Sequence, residues 1–576
     1  MYLCTMSVIV AKTAGFCWGV RRAVDSVVTE IKKGEGPFRV YGPLVHNPQV
    51  IEALKDRGVG LSSEPWNERG GTLFLRTHGV TLEERERLNE LPLQLKDLTC
   101  PRVGRALAIA GKMSRSGYDV IIYGDPGHHE VKAILSSAGS SGMVVSSVED
   151  ALKLPDLGRP FLLSQTTQNC EEFSEILTLL KKRWPGIDFS NTICDSTARR
   201  QTELRELLGR VDAVVVVGGS NSANTKRLAA IAGETGLPVF RIERHDELNA
   251  ELLKPYKRVL LSAGASTPGW SIRKVRERLL EIQGESTGAG WIRNVFRNLI
   301  FSGIHIPFIA LVIAFAQGET LGGTGWGAAG LAAGLLLWSF TNFTAVLECR
   351  QVTMTSQKRQ EFIGAHERIM FALAGFSFLG SAALSVHLGT AWLLWTAVAT
   401  LFCFLYALPL LRNSQFFDLL RTIPGSREIM FTLAWSFLVC ILPAVSIAGL
   451  DFSLRLLIWP VSLAFLFFSR SLFLDLVDLQ SDALLGMDTL PLHLGAARCR
   501  KILLASATSV ILVQLLAVLM GKFPPCALSF IAAPVMLILA YIHLEKESFP
   551  SELSVRVISD GSLLIAGLFP YLLCSL

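Results

Sequence analysis

The 576-residue sequence lacks the patterns that would mark several common functions. Its eleven cysteines include no CxxC pair, which disfavours a zinc site built from close pairs. The Gly218-Gly219 turn precedes no Walker lysine and belongs to no full GxGxxG motif, so nucleotide binding is not expected. No basic patch with interleaved aromatic residues suggests nucleic acid, and residues 7–10 are too short an apolar run for a secretory signal peptide.

The chain divides into two parts of different composition. Residues 1–284 alternate short β-branched runs with charged helical patterns, which predicts an α/β domain in the cytoplasm. A small-residue linker, 285–296, follows, and residues 297–576 predict an all-helical membrane domain of about nine spans. The predicted spans lie near 297–317, 323–346, 369–387, 391–411, 428–449, 454–474, 502–521, 525–543 and 558–575.

Basic residues fall in alternate loops of the membrane part and predict its orientation. They are Arg293 and Arg297, then Arg350, Lys358 and Arg359, then Arg412, Arg421 and Arg427, then Arg498, Arg500 and Lys501. By the positive-inside rule these loops and the first domain are cytoplasmic, in a bacterial-type inner membrane, and nine spans place the C-terminus outside. In a reducing compartment cysteines serve as metal ligands or core residues, so Cys403, Cys440, Cys526 and Cys574 are predicted to be packing residues.

Three cysteines of the first part stand apart from the rest. Cys17, Cys100 and Cys194 lie in short polar or glycine-containing turns, and the first and third lead directly into helical patterns. A helix start favours a thiolate, and distant loops can share an iron-sulfur cluster with one iron left open. A small buried thiol is the alternative for any one of them taken alone.

Polar turns follow the strand-like runs between these cysteines. His46, His78 and the Gly127-His128-His129-Glu130 segment lie where sites of parallel α/β folds usually form. Small-residue turns around Ser222 and Ser266 lead into helices and suit a phosphate or diphosphate. Ordinary loop hydrogen bonding for the histidines and helix capping for the Ser, Thr and Asn residues are the alternatives.

Together, these motifs resemble the 4-hydroxy-3-methylbut-2-enyl diphosphate reductase (IspH/LytB) family over residues 7 to about 283. The shared patterns are the three cysteine contexts, His-Asn-Pro, Arg-Thr-His-Gly, Gly-His-x-Glu-Val, Ser-Gln-Thr-Thr, Asn-Ser-x-Asn and Ala-Gly-Ala-Ser. The resemblance implies a three-lobed α/β fold with pseudo-threefold symmetry around a central [4Fe-4S] cluster. It also implies reduction of that diphosphate to isopentenyl and dimethylallyl diphosphate, with electrons from a donor such as ferredoxin or flavodoxin.

The resemblance assigns roles to individual residues. Cys17, Cys100 and Cys194 would hold the cluster, and Glu130 with Thr166 would deliver the proton. His46, His78, His128, Thr167, Ser222, Asn224 and Ser266 would bind the diphosphate. His129 stands where the family usually has proline, and Ala223 where some members have serine. A non-catalytic iron-sulfur electron carrier or sensor is the rival class, although such a protein needs no substrate acid.

In the membrane part, Asp475, Asp478 and Asp482 recur at helical spacing and share one face, which suits Mg²⁺ and a diphosphate. The segment resembles the second aspartate motif of UbiA-type membrane prenyltransferases. Of the family's first motif only Asn342 remains, with Glu348 as a possible substitute acid. Three hypotheses therefore stay open for this half: a divergent prenyltransferase, an inactive module that binds prenyl lipids, and a membrane anchor.

Overall fold

The computed structural model describes residues 7–34, 36–287, 290–351, 358–407, 425–448, 454–485, 489–546 and 549–575. The chain forms two compact units, Met1–Gly288 and Ala289–Leu576. The helices at this boundary run through much of the predicted linker, because one ends at Thr287 and the next begins at Gly290. Each unit is described separately below.

The first unit is an α/β domain, as predicted. Its described strands are β1 (Ser7–Val10), β2 (Phe38–Tyr41), β3 (Val59–Ser62), β4 (Thr72–Leu75), β5 (Gln94–Asp97), β6 (Asp119–Tyr123), β7 (Gly142–Val145), β8 (Pro160–Ser164), β9 (Asp188–Ser190), β10 (Ala213–Val217), β11 (Val239–Ile242) and β12 (Arg258–Ala263). Its described helices are α1 (Trp18–Lys33), α2 (Pro48–Asp56), α3 (Leu82–Asn89), α4 (Pro101–Arg115), α5 (His129–Ala138), α6 (Val148–Leu152), α7 (Cys170–Arg183), α8 (Asp195–Leu208), α9 (Ala223–Gly233), α10 (Ala250–Leu253) and α11 (Gly269–Thr287).

These strands form three separate parallel sheets of four strands each, which confirms three lobes. The strand orders are β1-β12-β10-β11, β3-β2-β4-β5 and β7-β6-β8-β9. The inner strands are almost wholly buried: 213–217, for example, is fully inaccessible along its length. Burial on both faces explains why these strands read as continuous β-branched runs rather than as alternating ones.

Strand position within each sheet separates the predicted site residues into two groups. Every predicted substrate or proton-transfer residue follows one of the six inner strands, at its carboxyl end. The three cysteines instead follow edge strands, because Cys17 comes after β1, Cys100 after β5 and Cys194 after β9. Loops at the carboxyl ends of parallel strands converge, so this arrangement directs both groups to one region.

The second unit is all-helical within the residues described. Its helices are α12 (Gly290–Ser302), α13 (His305–Leu321), α14 (Trp326–Gln351), α15 (Lys358–Ala365), α16 (Glu367–Leu388), α17 (Thr390–Ala407), α18 (Ser426–Trp435), α19 (Leu442–Ala448), α20 (Leu454–Leu485), α21 (Leu490–Leu494), α22 (Ala496–Leu519), α23 (Ala532–Lys546) and α24 (Glu552–Cys574). A π-helical turn, Ser436–Ile441, joins α18 to α19, so the two form one continuous span.

The described residues do not confirm nine spans. Seven helices are long and apolar enough to cross a membrane, or eight if the bent pair at the start counts as one span. That pair, Trp291–Ser302 and His305–Leu321, bends by 69° where a single straight span near 297–317 is predicted. The span predicted near 391–411 extends beyond the described residues, which contain only a shorter apolar helix there, Thr390–Leu401.

The prediction for two of the membrane cysteines is wrong. Cys526 and Cys574 are joined in a disulfide, whereas Cys440 is fully buried among apolar side chains, as a packing residue is expected to be. The Cα atoms of the two cysteines are 5.4 Å apart, within the range of a disulfide, and the pair lies at the end of α24 opposite Glu552, about 34 Å away along the helix. The side chains of Cys403 and Glu348 fall outside the described part of the chain.

Candidate active site

The turns at the carboxyl ends of the strands line one cavity in the first unit. It is lined by all the site residues predicted in this unit: Cys17, His46, His78, Cys100, His128, Glu130, Thr166, Thr167, Cys194, Ser222, Asn224 and Ser266. The chain separation between these residues reaches nearly 250 positions, so only the fold brings them together. The structure thus places every predicted residue of the soluble part at one site.

The three cysteines occupy equivalent positions around this cavity. Each is the N-cap residue of a helix, at the starts of α1, α4 and α8, and each is a free thiol. The Sγ atoms of Cys100 and Cys17 lie 2.6 Å and 3.9 Å from the point above Gly19 where a Cβ would stand, so Gly19 leaves the space between them open. Burial raises the pKa of the Cys100 thiol, and the proximity of Cys17 and Cys194 raises it further.

This arrangement fits a metal cluster. Three thiols that meet in one cavity without forming a disulfide are each supported by the positive end of a helix, which favours the thiolate form that binds iron. The three cysteines follow strands of three different sheets. The rest of the cavity wall is formed by histidine, glutamate and hydroxyl side chains. The three cysteines would therefore suit an iron-sulfur cluster ligated by three protein thiolates.

A buried arginine beside the cysteines was missed from the sequence. Arg200 on α8 is only 4% exposed, and its Nη2 donates to the carbonyl oxygen of Gly15 at 2.5 Å. Electrostatic interactions link its guanidinium to Cys17 and Cys194. A fixed positive charge next to thiolates stabilises their charge. The sequence gave no signal for this role, because Gly15 and Cys17 are distant from Arg200 in the chain.

Four imidazole rings meet at another side of the cavity. The ring centroids of His46 and His78 are 4.3 Å apart, and His128 lies 5.5 Å and 5.4 Å from them. His129, the departure from the family pattern, stacks on His46 at 6.2 Å. Histidine in place of the proline usual in the family therefore adds a fourth imidazole ring at the edge of this group of histidines.

Burial lowers the pKa of these histidines in the absence of a ligand. The pKa values of His46 and His128 fall to about 4, and that of His78 lies well below its ordinary value. The neighbouring imidazoles and Arg76 lower the pKa of His46 and His78 further. His128 Nδ1 accepts from the backbone N–H of Glu130 at 3.2 Å, so a neutral His128 carries its proton on Nε2.

Several polar atoms around this cavity have no protein partner. Among the described residues, His46 Nε2, His78 Nδ1 and both side-chain amide atoms of Asn224 lack a hydrogen bond although they are buried. Ser222 caps α9 through its side chain, and the Ser266 hydroxyl donates to the His46 carbonyl oxygen at 3.3 Å. Buried polar groups are costly when unsatisfied, so this set indicates a polar ligand.

The carboxyl group of Glu130 faces the same cavity. Glu130 is 1% exposed, and its two carboxyl oxygens pair with the backbone N–H and the hydroxyl of Thr166, at 2.7 Å and 3.1 Å. Burial raises the pKa of Glu130 to about 7, although both hydrogen bonds from Thr166 oppose that shift. The acid is therefore partly protonated near neutral pH and is able to give up a proton.

The predicted aspartates of the membrane unit lie together on α20. Asp475 and Asp482 are 3% and 4% exposed, and Asp478 interacts electrostatically with Arg556 of α24. Glu428 at the start of α18, missed from the sequence, is fully buried, and it and Asp475 both act electrostatically on Cys499. Asn342 is also fully buried, and neither of its amide atoms has a partner within the described chain.

We predict that the histidines take up protons when an anionic ligand binds to them. An anion raises the pKa values of His46 and His128 from about 4, so binding couples to protonation above that pH and weakens as the pH rises through the bound-state pKa values. Calorimetry with inorganic pyrophosphate in two buffers of different ionisation enthalpy measures the uptake. His46→Asn should reduce it, while exposed His387→Asn in the membrane unit serves as the matched control. Affinity independent of pH from 5 to 8 would contradict the prediction.

Comparison with known proteins gives a different result for each half. The family model of the LytB protein matches residues 8–280. The 4-hydroxy-3-methylbut-2-enyl diphosphate reductase of Geobacter sulfurreducens is 39% identical over 283 residues, which are 49% of this chain and all of that protein. The corresponding reductase structure from Plasmodium falciparum is 27% identical and covers 47% of this chain and 87% of its own, with a TM-score of 0.46.

A UbiA homolog from Archaeoglobus fulgidus, solved with GPP and Mg²⁺, covers 48% of this chain and 100% of its own at 12% identity, with a TM-score of 0.32. The reductase relatives, by contrast, are matched along their whole length by the half that carries the cysteine, histidine and glutamate site. This chain belongs to the LytB family of 4-hydroxy-3-methylbut-2-enyl diphosphate reductases.

Proposed function

We propose that this chain reduces 4-hydroxy-3-methylbut-2-enyl diphosphate to isopentenyl and dimethylallyl diphosphate, the last step of the non-mevalonate isoprenoid pathway. The reaction breaks the bond between C4 and its hydroxyl oxygen, consumes two electrons and two protons, and releases one water. The observation that carries this proposal is the buried Glu130–Thr166 pair facing the same cavity as three free cysteines. An electron carrier or sensor needs no such acid.

Cys17, Cys100 and Cys194 would hold a [4Fe-4S] cluster in this proposal. When bound, such a cluster supplies the electrons and an open iron that polarises the substrate hydroxyl. The chain's own residues place the substrate: His46, His78 and Asn224 offer buried polar atoms that have no partner in the described part of the chain and that suit a diphosphate. Ser222, Ser266 and Thr167 line the same cavity and supply further hydroxyl groups.

Glu130 holds the proton that the leaving hydroxyl needs. Its protonated form donates, and the diphosphate charge raises its pKa above the value of about 7 that burial gives. The hydrogen bonds from Thr166 fix the orientation of the carboxyl group, so Thr166 acts as a positioning and relay residue. Turnover therefore requires the acid form of Glu130.

We predict that kcat falls at alkaline pH, above the pKa that Glu130 has with the diphosphate bound, because the fraction of protonated Glu130 declines there; that pKa lies above the value of about 7 that burial gives. Glu130→Gln should lower kcat by about 100-fold or more and remove the alkaline limb of the pH profile, since a general acid contributes at least that factor. The measurement is kcat from pH 6 to 9 for the full-length protein under anaerobic conditions with dithionite and methyl viologen. Exposed Glu175→Gln on α7 is the matched control. Full turnover by Glu130→Gln would remove the proton role.

For the membrane unit, we propose a divergent prenyltransferase-like function with Mg²⁺ bound at an altered acid set. Carboxylate oxygens are the ligands that Mg²⁺ prefers, and charged side chains within a membrane domain are costly unless they are paired or functional. Glu428 supports the proposal because it supplies, from another helix, a buried acid near Asp475. In this proposal Glu428 takes the role of the acids absent from the first motif, of which only Asn342 remains.

An apolar cavity in this unit supports binding of a prenyl chain. It is lined by residues of α14, α16, α17 and the π-helical turn, among them Phe340, Phe343, Phe371 and Phe378. Phe343 directly follows Asn342, whose buried amide has no partner among the described residues. Aromatic and aliphatic walls with few polar groups suit an isoprenoid chain.

We predict Mg²⁺-dependent transfer of label from a prenyl diphosphate to a lipid acceptor. Asp475→Asn, Asp478→Asn and Glu428→Gln should each abolish the transfer, because each removes a carboxylate of the altered set. Exposed Glu319→Gln on α13 should retain it. The assay uses the full-length protein in membranes with labelled geranyl diphosphate and is read by lipid chromatography. Absence of transfer with every acceptor tested would eliminate this second activity and leave the reductase proposal intact.

We further propose that the reductase unit lies in the cytoplasm and that the Cys526–Cys574 disulfide lies on the outer face of the membrane. Asp478 interacts with Arg556 near the start of α24, whereas Cys574 ends the same helix. The acids and the disulfide are therefore at opposite ends of α24. The basic loops assign the acid end to the cytoplasm, which leaves the disulfide in the oxidising compartment.

We predict that a membrane-impermeant maleimide labels Cys526 and Cys574 in intact cells only after treatment with an impermeant reductant. The disulfide blocks both thiols until it is reduced, and the reductant reaches only the outer face. Mass-shift labelling of the wild type is compared with the Cys526→Ser, Cys574→Ser double variant as control. Labelling that requires cell lysis would contradict the proposed orientation.

A further inference from the structure

Exposed residues directly follow two of the cysteines and have no role in the proposed reaction. Trp18 directly follows Cys17 and is 65% exposed, which is unusual for so large an apolar side chain. Pro101 and Arg102 directly follow Cys100 and are also exposed. The cysteine side of the cavity therefore comes to the surface at the starts of α1 and α4, away from the buried histidines.

A groove extends along α4 from its exposed start. It begins at Cys100 and Pro101, runs over Gly104, Leu107, Ala108 and Gly111, and ends at Arg115. Arg22 and Arg85 lie on its far wall, and Arg22 Nη1 donates to the carbonyl oxygen of Thr99 at 3.2 Å. One cysteine of the site thus forms the end of an open surface groove.

The groove and its borders are strongly basic. Helix α4 contains four basic residues and no acidic residue: Arg102, Arg105, Lys112 and Arg115. Arg105 and Lys112 are seven residues apart, so they share one face beside the groove. Arg21 and Arg22 add two more charges from α1.

The acidic groups at this surface offset only part of that charge. Asp97 pairs with Arg85 at 2.5 Å, and Asp195 pairs with Arg102 at 2.6 Å. Asp25 interacts electrostatically with Arg21. Arg22, Arg105, Lys112 and Arg115 have no ion-pair partner among the residues described, so the surface carries a clear positive excess.

We infer that this surface, here called the α4 face and formed by Trp18, Arg21, Arg22, Arg105, Lys112 and Arg115, docks an acidic one-electron carrier protein. The inference rests on the proposed reductase function, because that reaction consumes two electrons for each substrate. Charge complementarity steers the carrier, and the exposed indole of Trp18, the residue after Cys17, supplies an apolar anchor. Cys100 lines the groove itself. The carrier is oxidised by one electron per encounter, and two encounters complete one turnover.

Charge reversal on α4 tests the docking surface without touching the cavity. The double variant Arg105→Glu, Lys112→Glu should bind ferredoxin about 10-fold more weakly at low salt, and its affinity should depend less on ionic strength. Binding is measured by calorimetry with the full-length protein in nanodiscs of neutral lipid. The exposed Lys182→Glu variant on α7 is the matched control and should bind as the wild type does.

Turnover with two reductants separates this inference from the proposed function. Ferredoxin-supported turnover by the double variant should fall about 10-fold, while turnover with dithionite and methyl viologen should stay unchanged because small reductants need no docking surface. Equal losses with both reductants, or unchanged ferredoxin binding, would overturn the inference. Weaker binding to phosphatidylglycerol vesicles with unchanged ferredoxin binding would also overturn it, and would assign the α4 face to anionic lipid. Absence of wild-type turnover with dithionite would instead refute the reductase function.

Discussion

The convergence of strand ends on one cavity is the constraint on which the first half of this protein depends. Three parallel sheets each direct the carboxyl ends of two inner strands and one edge strand to the same place. The inner strands carry the polar groups that meet a substrate, and the edge strands carry the cysteines. Because the turns are short and the strands are buried, a displacement of one sheet would separate Glu130 from the thiols and the histidines from Asn224.

Close packing between turns from different lobes maintains this convergence. A Cβ on Gly219, in the turn after β10, would stand 2.3 Å from the carbonyl oxygen of His46, so only glycine permits the two turns to approach. The Ser266 hydroxyl donates to that same carbonyl, and Arg200 ties α8 to the Gly15 turn. Backbone contacts thus position the histidines, while burial and desolvation set the protonation states of His46 and Glu130. The same packing therefore fixes both the positions of these side chains and their protonation states.

The sequence predicted the residues that the fold brings to one cavity of the first unit, and it predicted the membrane unit less completely. Local motifs around Cys17, His46 and Glu130 are specific because each needs a defined turn after a strand, so the site residues and the α/β class followed from them. Arg200 and Glu428 were missed, because their roles depend on partners distant in the chain. The disulfide between Cys526 and Cys574 was missed because spacing along the chain does not reveal which span ends face one another. The bend between α12 and α13 was also not apparent from hydropathy alone.

The central claim is that the three cysteines, the histidines and Glu130 form one reductase site in this chain. An anaerobic assay of the full-length protein, reconstituted with iron and sulfide, measures iron content, cluster spectrum and products together. The account predicts about four iron atoms per chain, as one [4Fe-4S] cluster requires. It also predicts isopentenyl and dimethylallyl diphosphate from the hydroxymethylbutenyl diphosphate, both lost in a Cys100→Ser variant. A full cluster without either product, or product formation that persists in Cys100→Ser without iron, would contradict it.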